Sequence, residues 1–158
     1  MISLKIEYIG LNELIIYIFN NKYNINIQKE ENIEKFLRQL FVKLRDYYNI
    51  NIEGYYEVNI YIDNNYGLVL HLKNENLDYY NYFKNQVDMK IIIHREHFLY
   101  LVDYCDSDTD IYDIYKLNNN IYLCPKQKMS RNHLARIMEN SKIIYDSDDI
   151  IKRAKKIN

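Results

Sequence analysis

The chain has 158 residues, with 21 basic and 22 acidic side chains and a net charge of −1 at neutral pH. That length holds one domain or two small units, and the charge balance gives no global field to drive binding to nucleic acid or an anionic membrane. Eighteen tyrosines and five phenylalanines stand against three glycines, one proline and no tryptophan, a skew towards A/T-rich codons that fits a low-G+C bacterium or its phage.

The opening run Met1-Ile2-Ser3-Leu4-Lys5-Ile6-Glu7 carries charges among its apolar residues, so no signal peptide is expected there. No later window of about 18 residues is apolar and uncharged enough to span a membrane. Residues 3 to 9 and 13 to 19 are β-branched runs around Gly10-Leu11-Asn12, the pattern of a hairpin. Tyr23 to Ile27 alternates as a third short strand. Ile33, Phe36, Leu37, Leu40, Phe41, Leu44, Tyr47 and Tyr48 then follow helical spacing in one apolar stripe. Glu30, Glu31 and Glu34 lie at its start and Lys43 and Arg45 near its end, an order that complements the helix dipole.

Glu53-Gly54 interrupts that pattern. Tyr56, Val58, Ile60 and Ile62 share one strand face, and Leu68, Leu70 and Leu72 share one on the return. Asp63 to Gly67 supplies residues that tolerate left-handed backbone between them. Residues 74 to 88 are polar and aromatic without a clean period and read as a connection. Beyond it, Met89–Ile93 and Phe98–Tyr104 are expected to pair around His94-Arg95-Glu96-His97. Acidic residues 106 to 113 form a loop or short helix, and Tyr115–Leu117 and Ile121–Leu123 make another hairpin over three asparagines. Ser130 caps a helix with Leu134, Ile137 and Met138 inward. A strand at Lys142–Tyr145 leads to Asp146-Ser147-Asp148-Asp149, which caps a last helix with Ile150, Ile151, Ala154 and Ile157 inward.

The expected fold is therefore α+β, because strands come in runs rather than alternating with helices. A 1–73 unit (β-β-β-α-β-β) and an 89–158 unit of hairpins and two shorter helices flank the 74–88 connection, as separate units or around one shared core.

Each constellation that could carry chemistry fails on a named residue. Asp106-Ser107-Asp108-Thr109-Asp110 opens like a calcium loop, but Ile111 and Leu117 stand where the glycine and the bidentate glutamate belong. His94, Glu96 and His97 with Cys105 do not match the paired ligands of a zinc site. Cys105 and Cys124 form no C-x-x-C pair and read as reduced thiols of a cytoplasmic protein. Neither adjoins a nucleophile elbow, and Gly10, Gly54 and Gly67 are too scattered for a phosphate loop. The basic end, Lys152-Arg153-Ala154-Lys155-Lys156, adjoins Asp146, Asp148 and Asp149. No catalytic residue, metal or cofactor is expected. Tyr55 and Tyr61 on an outward strand face, with Tyr79, Tyr80, Tyr82 and Phe83 in the connection, are the candidate protein-binding residues, since exposed aromatic clusters mark contact sites.

The stretch Glu53-Gly54-Tyr55-Tyr56-Glu57-Val58-Asn59-Ile60, its return at Gly67-Leu68-Val69-Leu70, and the segment Phe98-Leu99-Tyr100-Leu101-Val102-Asp103 lie in an order of elements that resembles the MecA-type adaptors of Clp unfoldases. The resemblance implies a non-enzymatic adaptor that binds another protein. This chain is shorter and less acidic than such adaptors and lacks their long acidic linker, so none of their unfoldase-contacting residues is carried over. The other readings are a phage or mobile-element inhibitor of a host or defence complex, and a small metal-dependent or thiol enzyme. The partner and the oligomeric state, a homodimer among the options, stay open.

Overall fold

A computed structural model of the chain describes residues 3–19, 30–76, 87–103 and 111–158. The hairpin around Gly10 forms as β1 (Ser3–Tyr8) and β2 (Glu13–Phe19), with Ser3 opposite Phe19 and Tyr8 opposite Leu14. The amphipathic stripe becomes α1 (Glu30–Tyr48), and the second hairpin becomes β3 (Gly54–Asp63) and β4 (Gly67–Asn76). Gly54 and Gly67 take φ of 94° and 125° at the starts of β3 and β4, backbone that a side chain would strain. The expected strand at 23–27 lies outside the described residues.

These elements build a five-stranded sheet in the order β1-β2-β4-β3-β5, in which β5 (Val87–Arg95) runs parallel to β3. One face receives α1. Ile33, Leu37, Leu40, Phe41 and Leu44 pack there on Leu14, Ile16, Ile18, Tyr56, Val58, Ile60, Leu68, Leu70 and Leu72, as the period-two and helical patterns require. The stripe is shorter than expected, because Tyr47 and Tyr48 are 80% and 45% exposed.

The expected hairpin of Met89–Ile93 with Phe98–Tyr104 does not form. The first of these runs is the edge strand β5 of the first sheet. The second supplies β6 (Leu99–Val102) to another sheet, between β8 (Asn120–Pro125) and β9 (Ser141–Ile144). His94 to His97 is thus the passage between sheets, and β5 stands with the 1–73 unit rather than with residues 89–158. The second sheet is antiparallel, β10-β7-β8-β6-β9, with β7 at Tyr112–Leu117 and β10 at Lys155–Lys156. Asn118 and Asn119, at φ 50° and 67°, turn β7 into β8, the left-handed pair of a two-residue hairpin.

Ser130 caps α2 (Arg131–Glu139), its hydroxyl accepting from the His133 N–H at 3.2 Å. Leu134 and Ile137 pack from α2 onto Tyr100, Tyr112, Ile114 and Leu123 of the second sheet. The opposite face, with Leu99, Tyr122 and Cys124, takes Ile150 and Ile151 of α3 (Asp148–Arg153). That helix stops earlier than its pattern suggests, because β10 pairs with β7 and the Ile157 N–H donates to the Ile114 carbonyl at 2.9 Å. Ile157 is consequently half exposed.

The two sheets share a cluster on the face of the first sheet away from α1: Ile15, Tyr61, Tyr66, Val69 and Phe98, with Tyr17, Phe19, Met138, Ile143 and Tyr145 beside them. Two polar clamps fix this junction. The Asp63 carboxylate accepts from the N–H groups of Asn65, Tyr66 and Phe98 at 2.7, 2.9 and 2.9 Å. Ser147, fully buried, donates its hydroxyl to the His97 carbonyl at 2.5 Å, while its N–H donates to Glu96 at 3.2 Å.

In the second sheet, the buried Tyr100 hydroxyl finds no hydrogen-bond partner among the described residues. Removing an unmatched buried hydroxyl while keeping the ring gives up few packing contacts and relieves the desolvation penalty of that group. Tyr100→Phe is expected to hold or raise the unfolding free energy by up to about 1 kcal/mol in denaturant titration.

Candidate functional site

Of the aromatic candidates, Tyr61 does not lie on open surface. It is 6% exposed, stacked on the His94 ring at a centroid distance of 4.4 Å and 11° between planes, and tilted against Tyr145 at 4.9 Å. Its strand face does point away from α1, but the second unit covers it. Tyr55 is half-buried on β3. Tyr79, Tyr80, Tyr82 and Phe83 lie outside the described residues, as do Cys105 and the acidic run 106–110.

Beside Tyr61 the sheet face turns polar. Asn59 donates its amide to Glu57 at 3.2 Å, which leaves its carbonyl oxygen to accept from His94 Nε2 at 2.8 Å. Across the ladder, His71 sits opposite Asn59 and meets Glu13 at 3.0 Å. The Glu57 carboxyl is held below its usual range by hydrogen bonds with Asn59 and then Glu75, aided by Lys90 and Lys73. This relay can orient imidazoles, but no hydroxyl or thiol nucleophile joins it in the contacts above. Cys124 is buried in the second sheet, and burial first, then Asp113 and Asp63, push its thiol up to about 11. A thiol held so firmly protonated is a weak nucleophile at neutral pH. Among the described residues no three of His, Cys, Asp and Glu converge as metal ligands, and His133 is engaged by the Tyr112 hydroxyl at 2.9 Å.

The junction tyrosines, and Tyr100 in the second sheet, carry a pH signature. Burial, with Asp146 second, raises Tyr61 to about 12, burial alone raises Tyr66 to about 12, and burial also pushes Tyr17, Tyr100 and Tyr145 upwards. The fold favours the neutral phenols. Their contribution to stability is therefore complete below their unfolded value near pH 10 and is lost as pH rises towards 12. In an alkaline titration, the last part of the tyrosinate absorbance is expected to appear together with loss of the β-sheet circular dichroism. Full ionisation of every tyrosine before any unfolding would contradict this.

Charge at the C-terminal end is largely matched. Lys152 pairs with Asp148 at 2.9 Å, Arg153 with Asp149 at 3.2 Å and Lys156 with Asp113 at 3.2 Å, so no bare basic patch forms from these three.

The most exposed apolar side chain among the described residues, Leu11, sits elsewhere, on the β1–β2 hairpin beside two other exposed ones. Leu11 is 105% exposed, Tyr8 64% and Ile9 53%. The tip is nonetheless held in place: the Ile9 N–H donates to the Glu13 carbonyl at 3.1 Å, and the Asn74 N–H donates to the Asn12 carbonyl at 2.8 Å. An added Cβ at Gly10 would meet nothing within 4 Å, so the tip stands clear of the rest of the described chain there. Because Asn74 also donates to the Glu53 carbonyl at 3.4 Å, this tip and the residues following α1 share one end of the first sheet. Sequence reading passed over Leu11. Its signal was a large apolar residue at a turn position, between Gly10 and Asn12, with no strand face to enter.

No helix among the described residues is long and apolar enough to cross a membrane. No family model matches the chain, no curated protein is significantly similar to it, and no solved structure is either. The fold defines the class: an α+β protein of a helix-backed mixed sheet joined to an antiparallel sheet, with tyrosine-bearing aromatic clusters at the junction.

Proposed function

We propose that this chain is a non-catalytic, cytoplasmic protein-binding module that engages its partner through the β1–β2 hairpin tip. The observation supporting this reading is the full exposure of Leu11, beside exposed Ile9 and Tyr8, on a turn tied down by backbone hydrogen bonds. Apolar side chains held ready in this way bind at low ordering cost, and burying each contributes roughly 1.5–3 kcal/mol. The adaptor role rests on the MecA-type ordering of elements in the sequence, and a Clp-type unfoldase is the first partner to test. An inhibitor of a host or defence complex would present the same tip to a different protein.

The test compares the native chain with Leu11→Asp in pull-downs from a low-G+C bacterial extract and against a purified Clp-type unfoldase. Leu11 touches nothing in the core, so the variant is expected to melt like the native chain while losing about tenfold or more in partner affinity. Equal capture by both proteins would exclude the tip, and capture of no protein by the native chain would overturn the reading.

A further inference from the structure

Strand β1 is an edge of the first sheet, and among the described residues no strand pairs with its outer side. Its alternation is informative. In the β1–β2 ladder the Ile9 N–H donates to the Glu13 carbonyl, which makes Ile9 and Glu13 a hydrogen-bonded pair. By the antiparallel alternation, Glu7 with Ile15, Lys5 with Tyr17 and Ser3 with Phe19 are hydrogen-bonded pairs as well. The N–H and C=O groups of Leu4, Ile6 and Tyr8 therefore point outwards. An exposed row of such groups is a template for another strand.

We infer that β1 is a self-complementary edge on which a second copy of this chain pairs antiparallel, with the two-fold axis at Ile6. In that register Ile6 faces Ile6 of the second copy, and Leu4 faces its Tyr8, so every outward backbone group of these residues meets a partner. On the other face of the sheet, Lys5 of each copy stands opposite Glu7 of the other. Both side chains are exposed and on one face. Glu7 already accepts from the Tyr17 hydroxyl at 3.2 Å, and the Lys5 ammonium lies 5.5 Å from the centre of the same ring, so Tyr17 holds the two charges in place.

Charge selects this register over its neighbours. Moving the axis to Lys5 sets Lys5 against Lys5, and moving it to Glu7 sets Glu7 against Glu7; both also match outward groups with outward groups, yet each puts like charges opposite one another. The Ile6-centred register alone among the three makes both charge pairs attractive. It also covers Tyr8, which is 64% exposed, and joins two sheets into one continuous sheet.

This inference goes beyond the proposed partner binding, because Leu11 lies outside the paired residues and Leu11→Asp leaves the edge intact. Sedimentation velocity of the full chain over about 1–200 µM reads the association. The native chain is expected to move from monomer to dimer across that range. Lys5→Glu and Glu7→Lys, each turning two attractive pairs into two repulsive ones, are expected to raise the dissociation constant about tenfold or more. Lys5→Glu combined with Glu7→Lys exchanges the charges and is expected to restore the native constant to within about threefold. Ile6→Pro removes an outward N–H that β2 does not use and is expected to leave a monomer. A native chain that stays monomeric throughout, single reversals that leave association unchanged, or a double exchange that fails to recover it would each overturn the pairing.

Discussion

Asp63→Ala is expected to cost about 3–4 kcal/mol of unfolding free energy, read as a lower midpoint in chemical denaturation at unchanged slope. The carboxylate is 8% exposed and accepts from the backbone N–H groups of Asn65, Tyr66 and Phe98. Tyr66 and Phe98 are themselves buried at 3% and 0% exposure, so truncation leaves their donors without water to turn to. A hydrogen bond to a charged group is worth about 1.5–3 kcal/mol, and an orphaned buried donor adds its own desolvation cost. Asp63→Asn sharpens the test. One oxygen can still close the turn onto Asn65 and Tyr66, but the amide then offers an N–H to the Phe98 N–H, donor against donor. A loss of about 2 kcal/mol is expected there. If Asn were as good as Asp, the second oxygen would have no role in tying β6 to the β3–β4 turn.

Asp63 also shows which parts of this fold can be read from a sequence. As a turn residue before Asn64-Asn65 it was legible, because Asp accepts from its own backbone two residues on. Its bond to Phe98, 35 residues away, was not, since no local pattern encodes it. The same division runs through the chain. The alternation of Tyr56, Val58 and Ile60 against Leu68, Leu70 and Leu72 and the helical stripe from Ile33 to Leu44 state their faces directly, and those residues form the first core. Val87, Met89 and Ile91 alternate too, but alternation names a face and never a neighbour. The turn-like His94-Arg95-Glu96-His97 therefore suggested a hairpin where the strand joins β3 in parallel. The last helix was overextended for a related reason: Ile150, Ile151, Ala154 and Ile157 have helical spacing, while β7 offers the backbone of Lys155 to Ile157 a competing ladder.

The candidate site divides in the same way. Tyr61 occupies the strand face expected of it, yet Phe98 and Tyr145 from the second unit close over that face, and only tertiary contact determines this. The hairpin tip was visible in principle. Leu11 sits where neither strand could bury it.

Phe98→Ala is expected to cost about 3–5 kcal/mol and to change how the molecule unfolds as well as how easily. The ring is fully buried among Ile15, Tyr61, Tyr66 and Val69, with Tyr66 at 5.6 Å between centroids. It belongs to neither the cluster under α1 nor the cluster under α2. Truncating it opens a cavity at the junction while each sheet keeps its own core. With the junction intact, both sheets are expected to unfold in one transition by fluorescence, circular dichroism and hydrogen exchange. In the variant, amides of β7 and β8 are expected to lose protection at lower denaturant than those of β2 and β4, because the second sheet's cluster is the smaller. Leu70→Ala supplies the contrast, since it removes a comparable volume from beneath α1, at about 2–5 kcal/mol, and leaves the junction untouched. It should weaken the first sheet without uncoupling the second. If both variants lowered stability yet kept all amides exchanging together, cooperativity would have to run through the Asp63 and Ser147 clamps rather than the aromatic junction. Asp63→Ala in the Phe98→Ala background would then add less than its separate cost, because the cavity left by the ring lets water reach the main-chain N–H of residue 98 that Asp63 accepts from.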